Sequence, residues 1–157
     1  MNNKFCTMIF LIAAIAVLSI VPGLYAGTEA PDVIKMENKA YAKHKKGIVD
    51  FTHKKHADDY KIGCAECHHD ENGKPLENLK AGDDVKTCIE CHKIAEYIKG
   101  KAAKGLSKEK KREYHANALH DNCKGCHKKF NKKNGLKSKD KGAAPTTCKA
   151  CHPKIKK

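Results

Sequence analysis

Apolar positions are spread unevenly along this chain. Residues 5–21 form an almost uninterrupted apolar run behind a short polar start carrying Lys4, and Pro22-Gly23 ends it. Leu24-Tyr25-Ala26 then offers a small-residue cleavage point before Gly27. A charged start, an apolar stretch and a breaker in that order predict a signal peptide over residues 1–26, with residues 27–157 exported as the mature chain. The run is close to membrane-spanning length, but the breaker and cleavage point sit where a signal peptidase acts, which favours removal over a retained anchor.

Beyond the leader, apolar residues come in short groups. Residues 32–36 and 48–51 carry β-branched or apolar side chains and predict a small antiparallel ribbon. Asn72-Gly73-Lys74-Pro75 reads as a turn. Over residues 87–98, Ile89, Ile94, Ala95 and Ile98 recur at helical spacing up to Gly100, predicting a helix. Ser107 reads as an N-cap, and the run through His120 predicts another helix with Tyr114, Ala118 and Leu119 inward. Residues 128–142 are lysine-rich and aperiodic, which predicts a linker. The expected fold is mostly α and irregular with a small β ribbon near the N-terminus. A length of 157 residues suits one domain.

The cysteines change this picture. Cys6 leaves with the leader, and the other eight fall into one repeated spacing: Cys64-Ala65-Glu66-Cys67-His68, Cys88-Ile89-Glu90-Cys91-His92, Cys123-Lys124-Gly125-Cys126-His127 and Cys148-Lys149-Ala150-Cys151-His152. Composition alone would give roughly 0.03 matches to C-x-x-C-H, which removes chance as an explanation. Two thiols three positions apart can each add to a vinyl group on one haem edge. The histidine after the second thiol then binds the iron from below. The repeat therefore predicts four covalently bound c-type haems. Zinc ribbons and disulfide scaffolds also use paired cysteines, but neither needs a histidine after every pair. A thioredoxin-like reading would need a βαβ pattern, and none is visible. Four haems on about 130 residues leave little protein for each. The haems must then form most of the core, and the low aromatic content (6%, no tryptophan) agrees.

The remaining histidines bear on the second axial ligand. Outside the motifs lie His44, His53, His56, His69, His115 and His120, while Met36 is the one methionine beyond the leader. At least three of four distal ligands, if present, must then be histidines. Bis-histidine ligation lowers the potential relative to His/Met and closes the iron to small ligands, which favours electron transfer. His69, adjacent to His68, cannot reach the far side of the first haem and should serve another. By the same geometry His120, three residues before Cys123, should serve a haem other than the one at Cys123 and Cys126.

The segments Phe51-Thr52-His53-Lys54-Lys55-His56, Cys64-x-x-Cys67-His68-His69 and Leu119-His120-Asp121 resemble the tetrahaem cytochrome c3 family, the class III c-type cytochromes of sulfate-reducing and related anaerobic bacteria. The resemblance spans roughly residues 32–152. It implies that His53 and His68 bind haem 1, His69 and His92 haem 2, His56 and His127 haem 3, and His120 and His152 haem 4. His44 and His115 are left as non-ligands. All four motifs here are C-x-x-C-H, whereas several family members use C-x-x-x-x-C-H at the second and fourth sites. The stretches 93–122 and before Phe51 also look longer or differently composed than in short members.

Charge points to partners. Loss of Lys4 with the leader takes the net charge from +14 to +13. Residues 122–157 hold twelve lysines against one acid, Asp140, while residues 27–121 are nearly balanced. Lysine steers an encounter without locking a bidentate geometry, so this face suits acidic redox proteins; nucleic acid is not a partner expected for an exported haem protein. The resemblance implies periplasmic hydrogenase, with formate dehydrogenase and membrane-bound or larger multihaem cytochromes as further partners. The expected function is that of a periplasmic, monomeric, non-enzymatic electron carrier in anaerobic respiration. The alternative is a multihaem reductase of a metal ion or small substrate, with one open iron.

Overall fold

The computed structural model describes residues 31–155. The leader expected over residues 1–26 lies outside them. The two apolar groups before Phe51 pair as anticipated. Strand β1 (Ile34–Lys35) runs antiparallel to β2 (Asp50–Phe51), with Ile34 opposite Phe51 and Lys35 opposite Asp50. The period of two turns Ile34 and Phe51 inward, half-buried, and leaves Lys35 and Asp50 exposed. A ribbon this short is not stable alone. Met36 N–H donating to the Val49 carbonyl (2.9 Å) and Lys54 N–H to that of Asp32 (3.2 Å) tie its two ends.

A π turn (Lys55–Asp59) and a 3-10 turn (Cys64–Glu66) follow. Helix α1 (Cys88–Cys91) is a single turn. The Thr87 amide and hydroxyl both donate to the Glu90 carboxylate, at 2.6 and 2.8 Å, which fixes its start. The helix expected over 87–98 stops there. Beyond it Ile94 N–H donates to the Glu113 carbonyl (3.1 Å), and His115 N–H to that of Ile94 (2.9 Å), forming a parallel bridge between Ile94 and Tyr114. That backbone pairing overrides the helical spacing of the isoleucines.

Ser107 is the expected N-cap, its hydroxyl accepting from Lys110 N–H at 3.2 Å, and it opens α2 (Lys108–Arg112). The run to His120 is not one helix, because extended backbone at Tyr114 (φ −81°, ψ 116°) separates α2 from α3 (His115–Lys133). Tyr114, Ala118 and Leu119 are half-buried. The linker expected over 128–142 is also corrected, since α3 continues through Lys133. It ends in a Schellman motif: Gly135 (φ 65°) donates to the Lys132 carbonyl and Leu136 to that of Asn131. A last turn of helix, α4 (Cys148–Cys151), carries the fourth motif.

Helix α3 is the spine, roughly 28 Å long at 1.5 Å per residue. Two asparagines on it clasp loops. Asn117 receives Ile98 N–H (2.9 Å) and donates to the Ile98 carbonyl (3.0 Å). Asn131 does the same with Ala144, at 2.7 and 2.9 Å. These polar clasps matter because, among the described residues, no hydrophobic side chain is buried; only His115 and Asn131 are, at 7% and 6% exposure. Apolar burial is the main driving force of folding. The described residues supply little of it on their own, which agrees with the expectation that haems form most of the core.

Candidate haem-binding sites

His56 lies in the π turn and His120 and His127 on α3, while His53 just precedes the π turn. His68 and His69 follow the 3-10 turn, and His92 and His152 follow α1 and α4; together the eight form four close histidine pairs. Ring centroids lie 6.4 Å apart for His53 and His68, 5.9 Å for His69 and His92, 6.2 Å for His56 and His127, and 6.1 Å for His120 and His152. Two imidazoles facing each other across one metal ion, each with a nitrogen about 2 Å from it, put their centroids roughly 6 Å apart. In each pair one member follows a C-x-x-C segment and the other comes from elsewhere in the chain. The ring planes cross at 75°, 66° and 74° in the first, second and fourth pairs, but at 26° in the His56–His127 pair.

Backbone carbonyls orient five of these rings. The Nδ1–H groups donate from His56 to Thr52 (2.8 Å), His69 to Asp70 (2.7 Å), His92 to Arg112 (2.6 Å), His127 to Pro145 (2.7 Å) and His152 to Gly47 (2.8 Å). A carbonyl only accepts, so each bond fixes the proton on Nδ1 and leaves the Nε2 lone pair for a metal. Burial, aided by the neighbouring imidazoles His53 and His69, pushes the His68 pKa down. Burial also lowers that of His120, with Lys124 and His152 adding to it. Both effects favour the neutral ring that ligation requires.

A model of the class III cytochrome c family matches residues 30–152. The chain belongs to this family. No curated protein and no solved structure matches it. Members of the class III cytochrome c family carry electrons on covalently bound haem c, and multihaem electron transfer is therefore the general role of this class III cytochrome.

The residues of this cytochrome fit that cofactor. None of the eight motif cysteines is paired in a disulfide, so each is available for attachment. Helical turns α1 and α4 place their two cysteines at i and i+3, on one face. Cys123 lies in a partly desolvated setting near Cys67, Cys151 and Cys88, and its thiol is pushed up to about 11, chiefly by burial. Thiols of all four motifs thus lie near one another, although none of the eight is fully buried.

The two spare histidines sit together away from the pairs. His115, at the start of α3, makes a 2.9 Å hydrogen bond through Nδ1 to the Tyr41 hydroxyl, and His44 stacks on Tyr41 at 5.2 Å. Tyr41 and Gly47 were not marked by any motif. Gly47 has no sequence signal beyond being a glycine, and its carbonyl's role emerges only from contact with a residue 105 positions away.

Proposed function

We propose that this protein is a periplasmic electron carrier with four bis-histidine c-type haems. Cys64 and Cys67, Cys88 and Cys91, Cys123 and Cys126, and Cys148 and Cys151 attach them. His53/His68, His69/His92, His56/His127 and His120/His152 are the axial pairs. The observation that carries this reading is the set of four histidine pairs at 5.9–6.4 Å. Haem c bound there supplies a low-potential one-electron couple. The chain's own part is to close both axial positions, hold the rings through backbone carbonyls, and fix the sites close together. Two strong nitrogen ligands leave no open coordination position, so the reading is a carrier and not an enzyme.

The partners we infer are periplasmic hydrogenase or formate dehydrogenase as donors, and membrane-bound or larger multihaem cytochromes as acceptors. Supporting this, Lys128, Lys129, Lys132 and Lys133 stand exposed along α3. Among the described residues no carboxylate ion-pairs with a lysine of residues 122–157. Unpaired lysines leave a positive field to steer an acidic partner.

Carbon monoxide added to the purified, fully reduced protein tests the reading. No binding, with every haem low-spin, is expected. Stoichiometric binding at one haem would overturn it in favour of a reductase with an open iron.

A further inference from the structure

Of the eight candidate ligands, five bond a backbone carbonyl through Nδ1. Of the other three, His53, His68 and His120, only His120 has a buried Nδ1 without a hydrogen-bond partner among the described residues. Where the five rings above meet a carbonyl, His120 meets the ring of Tyr97, edge to face at 5.0 Å and 71°. The loop bearing Tyr97 is fixed on both sides. Ala116 N–H donates to the Glu96 carbonyl (3.3 Å), and Asn117 clasps both backbone groups of Ile98. Asn117 lies three residues before His120, on the same side of α3, so the clasp delivers Tyr97 onto the imidazole. Lys99 Nζ stands 5.8 Å from the centre of the Tyr97 ring, holding it by a cation–π contact.

Resting on the axial pairs proposed above, we propose that Tyr97 is a positioning residue that shields the Nδ1–H of His120 from water and from any acceptor, and so keeps the His120/His152 haem at a higher potential than the His69/His92 haem. A carbonyl accepting from Nδ1–H makes the imidazole more basic and a stronger donor to the iron, which stabilises the ferric state. His69 and His92 both have that bond, whereas the His120/His152 pair has it only at His152. An aromatic face is a weak acceptor by comparison.

The experiment is a spectroelectrochemical redox titration of the holoprotein and two variants, Tyr97→Ala and Tyr97→Phe. With alanine, water reaches Nδ1–H. One haem should then become harder to reduce by roughly tenfold in its equilibrium constant, about 59 mV for one electron. Phenylalanine keeps the ring and should leave all potentials in place. No shift with alanine, an equal shift at all haems, or the same shift with phenylalanine would each overturn the proposal. Independently of any variant, proton NMR of the reduced wild type should show the His120 Nδ1–H resonance, identified by cross-relaxation to Tyr97 ring protons, upfield of the five carbonyl-bonded ones. A His120 Nδ1–H resonance among the carbonyl-bonded set would overturn the proposal. Failure of the axial pairs themselves is separately visible, as a high-spin or carbon monoxide-binding haem in the wild type.

Discussion

Alanine at Gly47 should disturb one haem site from outside it. The Gly47 carbonyl accepts the Nδ1–H of His152 at 2.8 Å, and Pro153 packs directly on the Gly47 Cα. A Cβ there would run into the Pro153 carbonyl oxygen, with the proline Cγ at 2.8 Å and the carbonyl carbon at 2.9 Å. Backbone and a closed ring cannot rotate away as a flexible side chain would, so the two segments must separate. Overpacking of this kind costs about 1–3 kcal/mol, and the lost hydrogen bond adds about 1 kcal/mol. For a domain of this size that total corresponds to a fall in Tm of roughly 10 °C, read by Soret absorbance during thermal unfolding. A redox titration should show a second effect. Without its carbonyl acceptor, His152 becomes a weaker donor, and the potential of one haem should rise while the others stay put. A variant with wild-type Tm and wild-type potentials would refute the reasoning.

Other outcomes follow from particular geometries. With iron held by the proposed pairs, the 26° angle between the His56 and His127 planes would split the iron d orbitals strongly, whereas crossings of 66–75° would leave them near-degenerate. Electron paramagnetic resonance of the oxidised protein should therefore show one ordinary rhombic low-spin signal and three with a large maximal g value; four alike would contradict the ring orientations. Tyr41→Phe leaves the buried His115 Nδ1 without its partner, costing about 1–3 kcal/mol in denaturant unfolding. The haem spectra should be unchanged, because His115 lies outside the four proposed axial pairs. His120→Met should raise the potential of one haem, and unchanged potentials in a redox titration would undermine its assignment. Reversing Lys128, Lys129, Lys132 and Lys133 to glutamate should cut the association rate with an acidic redox partner and flatten its salt dependence in stopped-flow measurements; an unchanged rate would move docking elsewhere.

What the sequence made legible is what depends on local chemistry. The alternation around Ile34 and Phe51, the serine at 107 and the four C-x-x-C-H repeats each act through neighbours in the chain. Adjacency alone separated His68 from His69. Other features depend on contacts that sequence patterns do not encode. Helix α3 runs on to Lys133 without an apolar stripe, because Asn131 clasps Ala144 and the Asn134-Gly135 pair stops it. The isoleucines of residues 87–98 have helical spacing, yet the backbone of Ile94 is taken by the bridge with Tyr114. The Tyr41–His115 bond joins residues 74 positions apart. A chain whose core is completed by cofactors also relaxes the usual link between apolar periodicity and burial, so hydrophobic patterns inform less here than in ordinary domains.

With the proposed ligands, the sites are linked in a definite order. His69 and His68 are adjacent and join the second site to the first. His53 and His56, at the π turn, join the first to the third. His120 and His127, two turns apart on α3 and thus about 10 Å along its axis, join the third to the fourth. Each link is a short, hydrogen-bonded stretch of backbone, so neighbouring sites are held at fixed separations whatever the surface loops do. The last site is then tied back by the His152–Gly47 bond to the strand side, close to the ribbon that leads into His53. Distortion at one site must pass through a ligand-bearing segment shared with the next. That coupling explains how a polypeptide with no buried apolar side chain among its described residues can hold the four proposed sites in one arrangement: the segments bearing His53 and His56, His68 and His69, and His120 and His127 each position two of them.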